Sequence, residues 1–191
     1  MGITTNNSVN EFDGLLIGTS REGMYSLVDW LHTTDFYTAP ASTRYHGASE
    51  CGLLYHSLMV HDCAVTISSK LGCEGLWGRI DSITIAALLH DICKANCYSV
   101  YQKNVKKDGV WVQEDAYKFD EQFCFGGHGS KSVYLAQQFI KLTQEEATAI
   151  NCHMGFTNAD NINAISSAYQ NCPLAWLIHM ADEMATFIYK T

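Results

Sequence analysis

Proline occurs only twice in 191 residues, and basic side chains are outnumbered, 12 Lys and Arg against 20 Asp and Glu. With 47% apolar residues, so few prolines argue against a disordered chain, and the length suits a single domain, 1–191, with a real core. No apolar run reaches the ~18 residues that cross a bilayer, so no membrane segment is expected. The opening MGITTNNSVNEFDG lacks a basic region followed by an apolar one and does not read as a signal peptide. Gly2 with Thr5 is a fragment of a myristoylation pattern, but position 6 is Asn and no polybasic patch follows. No CxxC occurs. Cys63, Cys93 and Cys152 sit among apolar residues, so the eight cysteines read as reduced thiols in a cytoplasmic protein. A net charge of −8 leaves no basic face for long DNA or RNA. A small anionic substrate stays compatible, because bound divalent cations would reverse the sign of a site locally.

What is present is mostly helical pattern. Residues 1–41 form an N-terminal extension and helix: 1–19 look irregular, and Met24, Leu27, Val28 and Leu31 have helical spacing within 21–32. A loop broken by Pro40 covers 33–49, and a helix spans about 50–70. SITIAALLHDICK (82–94) is apolar nearly all round, as a central buried helix would be. Residues 98–119 alternate, are rich in aromatic and β-branched side chains, and carry Asp108-Gly109 at their middle, which predicts an inserted β-hairpin. Its Lys103, Lys106 and Lys107 read as edge protection. After the glycine-rich 125–130 a helix is expected to about Leu142. Thr143 and Glu146 have capping-box spacing, and a final helix over 173–189 opens with proline.

Two His-Asp pairs lie in apolar runs, 61–62 and 90–91. A buried aspartate needs a positive partner. On its helix His56 belongs to the apolar stripe, and His61 lies about 140° round from it. The His61-Asp62 pair therefore reads as a flank or surface pair. His90-Asp91 ends the most apolar helix, where a helix C-terminus favours a cation; a buried His-Asp hydrogen bond without metal is the competing reading. Asp182 in LIHMADEMA, His153 in AINCHM and the glycine-framed His128 each read singly as satisfied core or loop residues. With His56 they add up to four His and two Asp from five segments, a donor set suited to Mn, Fe, Zn or Ni.

The order His56, His90-Asp91, His128, His153, Asp182 resembles the HD-domain metal-dependent phosphohydrolase superfamily. CGLLYHSLMV resembles its first-histidine helix (GGLLEHS), AALLHDICK its AALLHDIGK signature and LIHMADEMA its closing LLHxAD segment. The likeness covers roughly 42–188. Two glycines of the pattern are replaced, by Cys51 and Cys93. APASTRYHGASECGLLYHS also resembles the HD portion of a bacterial 3′-to-5′ exoribonuclease family.

The resemblance implies an all-α HD-domain bundle with one small β-hairpin insertion. It implies two divalent ions (Mn, Fe, Ni, Zn or Mg). His56, His90, Asp91 and Asp182 would hold one; Asp91 would bridge to a second held by His128 and His153. The implied reaction is hydrolysis of a phosphoester, of a nucleotide or related small phosphate, by metal-activated water. Lys94, four residues after His90, would reach the phosphate or leaving oxygen if the helix continues. Arg44, His46 and Lys131 are candidate substrate contacts. Tyr98, Tyr101, Trp111, Tyr117 and Phe119 are candidates for base stacking or for hairpin core; the hairpin is equally a candidate lid or homo-oligomer contact. The competing functions are a di-iron oxygenase of the inositol-oxygenase type, which shares the ligand set, and a noncatalytic metal- or nucleotide-binding domain.

Overall fold

The structure, a computed structural model, describes residues 3–44, 47–71, 75–121, 126–157 and 162–191. Among these residues eight helices enclose one hydrophobic core: α1 (Ile3–Gly18), α2 (Met24–His32), α3 (Gly52–Lys70), α4 (Ile80–Leu89), α5 (His128–Ala136), α6 (Gln144–Cys152), α7 (Ile162–Asn171) and α8 (Pro173–Glu183). One two-stranded antiparallel sheet, β1 (Tyr98–Lys107) and β2 (Val110–Phe119), stands out from them. The expected all-α class with a small hairpin is what the chain forms.

α4 is the centre. Ile83 to Leu89 are all buried, and α1, α3, α6 and α8 pack around it. That is why its sequence carries no polar stripe. α6 begins with the expected capping box: the Thr143 hydroxyl accepts from the Glu146 N–H and the Glu146 carboxylate accepts from the Thr143 N–H. Buried Glu146 also receives two bonds from Arg21 and one from the Ser82 hydroxyl, tying α6 to the chain before α2 and to α4.

Within 1–19, expected to be irregular, Ile3–Gly18 form α1 instead. Its Thr, Asn and Gly content lowers helix propensity by ~0.5–1 kcal/mol per residue against Ala. Phe12 and Leu16, one turn apart and fully buried, contribute about 1.5–3 kcal/mol each, with Val9, Leu15 and Ile17 partly buried beside them. Packing thus outweighs propensity. The helix expected to reach Leu142 stops at Ala136, and α7, which buries only Ile165 among its residues, was not anticipated.

The hairpin forms with the expected turn. Tyr98 faces Phe119 and Lys107 faces Val110, and Asp108 and Gly109 both have positive φ, 50° and 86°, as a two-residue type I′ turn demands. The chain enters α3 through Cys51, whose φ of 62° is left-handed. A glycine suits that conformation, and Cys51 holds it at a cost of about 1–2 kcal/mol. The six described cysteines, 51, 63, 93, 97, 152 and 172, are free thiols; Cys73 and Cys124 lie outside the described residues. No described helix is long and apolar enough to cross a membrane.

Candidate metal centre

Four helices deliver five ionisable side chains to one place. His56 projects from α3, His90 caps α4, Asp91 follows it, His153 caps α6, and Asp182 lies at the end of α8 just before the chain widens into a π-helical turn, Met184–Tyr189. His56, His90 and His153 are fully buried, Asp91 nearly so. His56 Nε2 lies 3.1 Å from Asp182 Oδ1 and 3.9 Å from Asp91 Oδ2. His90 Nε2 is 3.3 Å from Asp91 Oδ2, and His153 Nε2 is 3.5 Å from Asp91 Oδ1. The two oxygens of Asp91 thus face different sets of imidazoles.

Helix ends explain the convergence. α4 stops at Leu89, and Asp91 at φ −116°, ψ 16° breaks the helical path before a 3-10 turn, Ile92–Lys94. His90 and Asp91 therefore reach one centre because the helix ends between them and the turn. The carbonyl ends of α4 and α6 both point there, a field that favours a cation. The His90 ring donates Nδ1–H to the Ala87 carbonyl at 2.7 Å, and His153 donates Nδ1–H to the Ile150 carbonyl at 2.7 Å. A carbonyl only accepts, so Nδ1 carries the proton and the neutral ring keeps its lone pair on Nε2. Those Nε2 atoms, Asp91 Oδ1 and His128 Nδ1 are buried without a hydrogen-bond partner. Four such atoms around one point are costly unless a cation satisfies them.

Among the described residues, donor atoms fall into three groups, each lying within 4.8 Å of one another: His56, His90 and Asp182; His90, Asp91 and His153; and Asp91, Cys93 and His128. The residues present fit divalent metal. Burial alone would raise the Asp91 carboxyl, but Lys94 and His90 hold it well below the ordinary value. Asp182 is likewise lowered against burial, chiefly by its bond with His56. Burial lowers His128, keeping a neutral ring available as a ligand. Burial pushes the Cys93 thiol up to about 12, with Asp91 adding to it.

Lys94 arrives by a different path from the one expected. It does not continue α4; it ends the 3-10 turn, three residues after Asp91, and its buried Nζ lies 2.6 Å from Asp91 Oδ2. Burial acts to lower its pKa, but Asp91 outweighs this and the net shift is upward. Lys131 is paired with Glu121 and donates to Cys97 Sγ at 3.2 Å, so its charge is already engaged. Arg44 is exposed and lines a shallow cavity of about 330 Å³ with Thr43, Tyr101, Tyr117, Lys118 and Phe119. His46 lies outside the described residues. The His61-Asp62 pair stays outside the cluster. Asp62 is exposed, but His61 is buried rather than at the surface, with Nε2 3.2 Å from the Thr84 hydroxyl.

Of the glycines beside His128, Gly129 serves packing. A Cβ on Gly129 would meet the Asn151 carbonyl oxygen at 2.4 Å and that of Ile150 at 2.6 Å, so glycine lets α5 approach the end of α6 and bring His128 near the centre. One of the candidate stacking aromatics joins the site, and two further contributors, Ser132 and His179, were not foreseen. Phe119 stacks on His128 with centroids 6.2 Å apart and also walls the Arg44 cavity. Buried Ser132 accepts from the Cys93 N–H at 3.2 Å. His179 donates Nδ1–H to the His153 carbonyl at 2.8 Å, bracing that ligand's backbone. His179 stood in the quoted LIHMADEMA segment; nothing local marked Ser132.

The HD-domain family model matches residues 53–186. The chain belongs to the HD-domain family. The match runs from α3 to the π-helical turn and so covers every element that contributes to the His/Asp cluster. HD domains bind divalent metal and are mostly hydrolases of the metal-dependent phosphohydrolase superfamily, and the cluster has the donors for that. No curated protein and no solved structure matches this HD domain.

Proposed function

We propose that this HD domain is a two-metal phosphohydrolase that cleaves a phosphoester of a nucleotide or related small phosphate. The observation that carries the reading is Asp91, whose Oδ2 faces His90 and His56 while its Oδ1 faces His153. His56, His90, Asp91 and Asp182 would hold one ion, and Asp91, His128 and His153 the other. Such ions supply an activated water at neutral pH and neutralise charge on phosphoryl oxygens.

The chain's own residues do the rest. The carbonyl anchors on His90 and His153 fix their rings before substrate arrives, so no reorganisation is needed in the transition state. Lys94, already buried beside Asp91, would donate to a phosphoryl or leaving oxygen. The cavity of Arg44, Lys118, Tyr101, Tyr117 and Phe119 combines cations for phosphate with aromatic faces for a base. Phe119 joins that cavity to His128. Tyr101 and Phe119 are substantially exposed, which leaves them free to stack.

A turnover screen over mono-, tri- and cyclic nucleotides with Mn²⁺, Zn²⁺, Fe²⁺, Ni²⁺ and Mg²⁺ tests this. Release of phosphate or nucleoside, lost in His90→Ala and Asp91→Ala, is expected. Hydrolysis that persists in both variants would refute the proposal.

A further inference from the structure

The side chain at 93 occupies the position where the HD signature carries glycine, and the backbone there does not demand one. Residue 93 lies within a 3-10 turn and is not among the residues with positive φ. The thiol is buried, and its Sγ lies with a donor oxygen of Asp91 and a donor nitrogen of His128, all within 4.8 Å of one another. Metal bonds to S, N and O are about 2.0–2.3 Å long, so one ion can span atoms that close. Asp91 Oδ1 and His128 Nδ1 are both buried without a hydrogen-bond partner, and Asp91 is 3% exposed.

We propose that Cys93 is a thiolate ligand of the second metal ion, sharing it with Asp91 and His128. The inference rests on the metal-centre reading above. Coordination breaks the S–H bond, forms a metal–sulfur bond and releases one proton to solvent. Ser132 is the supporting residue. Its hydroxyl accepts from the Cys93 N–H at 3.2 Å, which fixes the backbone that carries the ligand.

The consequence is metal choice. A site of imidazole and carboxylate alone accepts Mn²⁺ and Mg²⁺, whereas a thiolate shifts preference toward Zn²⁺, Co²⁺ and Fe²⁺. This HD domain thereby gains a softer second site than a glycine at 93 would provide.

Cobalt substitution of the full chain tests it. Metal-free protein titrated with Co²⁺ is expected to develop visible ligand-field bands from the His/Asp centre and a near-ultraviolet thiolate-to-cobalt charge-transfer band. Cys93→Ser and Cys93→Gly should lose the charge-transfer band and keep the visible bands, while Cys97→Ser, at the thiol that bonds the Cys93 carbonyl, keeps both. Zn²⁺ affinity at the second site should fall by at least about tenfold in Cys93→Ser, with Mn²⁺ affinity little changed. Visible bands without the charge-transfer band in the parent chain, or a band that survives in Cys93→Ser, would overturn the thiolate while leaving the metal centre standing. Absence of any cobalt binding would overturn both.

Discussion

His90 and His153 occupy equivalent positions on two different helices. Each follows the last helical residue, with φ −57° and ψ near −35°, and each ring donates Nδ1–H to the carbonyl three residues back. The rings meet with centroids 4.9 Å apart and Asp91 between their free nitrogens. Two unrelated stretches of chain thus solve one problem in one way: the helix end both orients the ligand and supplies the field that favours a cation.

Metal content should divide along the two faces of Asp91. His153→Ala is expected to reduce bound ions from about two to about one per chain, as is His56→Ala, and Asp91→Ala to remove both. The first two variants lose different ions, so the double variant retains none. Elemental analysis after gel filtration reads this directly; equal, full metal content in all three would contradict the bridging role.

Lys94→Met separates chemistry from assembly. With its Nζ 2.6 Å from Asp91 Oδ2, Lys94 could be only a partner for that carboxylate. If it also donates to phosphate, kcat falls by about 10²–10³ with metal content unchanged. A loss of metal with unaltered turnover per bound ion pair assigns it to assembly alone.

Gly129→Ala is expected to cost about 1–3 kcal/mol, since a Cβ there collides with the Ile150 and Asn151 carbonyls. The displaced α5 carries His128 away, so binding of the second ion weakens while the first is kept. Gly126→Ala meets nothing closer than the Ser130 hydroxyl at 4.0 Å and should melt near the parent. Calorimetry with metal titration distinguishes the pair.

Acid sensitivity should trace in part to Glu146. Burial alone would raise its carboxyl, but bonds from Arg21, Thr143 and Ser82 lower it below the ordinary value of 4.5. A carboxylate lowered on folding adds stability that is fully present above the unfolded value and is lost as pH falls through the folded one. Glu146→Gln should therefore be less stable at neutral pH by about 1.5–3 kcal/mol, nearer the lower figure because Arg21 reaches solvent. The difference from the parent should shrink below pH 4.5. A constant difference from pH 7 to pH 3 would show that the charge contributes nothing.

Much of the fold was legible because its signals are local. Met24, Leu27, Val28 and Leu31 announce α2 by spacing, Thr143 and Glu146 mark the start of α6, and Asp108-Gly109 dictates the hairpin turn. α1 was not legible: its residues disfavour a helix, and it exists because Phe12 and Leu16 find a core that other segments build. His61 misled for a related reason, since the Thr84 that buries it lies on another helix.

The order and types of His56, His90, Asp91, His128, His153 and Asp182 were set by sequence alone, and with them the HD family and the expectation of metal. Tertiary structure alone decided which Asp91 oxygen faces which ring, that Lys94 reaches Asp91 from a turn, that Phe119 leans on His128 and that Cys93 joins Asp91 and His128. The reason is physical. Ligand chemistry is a property of single side chains and survives in a linear string. Distances of a few ångströms between residues far apart in the chain exist only after helix ends, glycine contacts and the core have placed them.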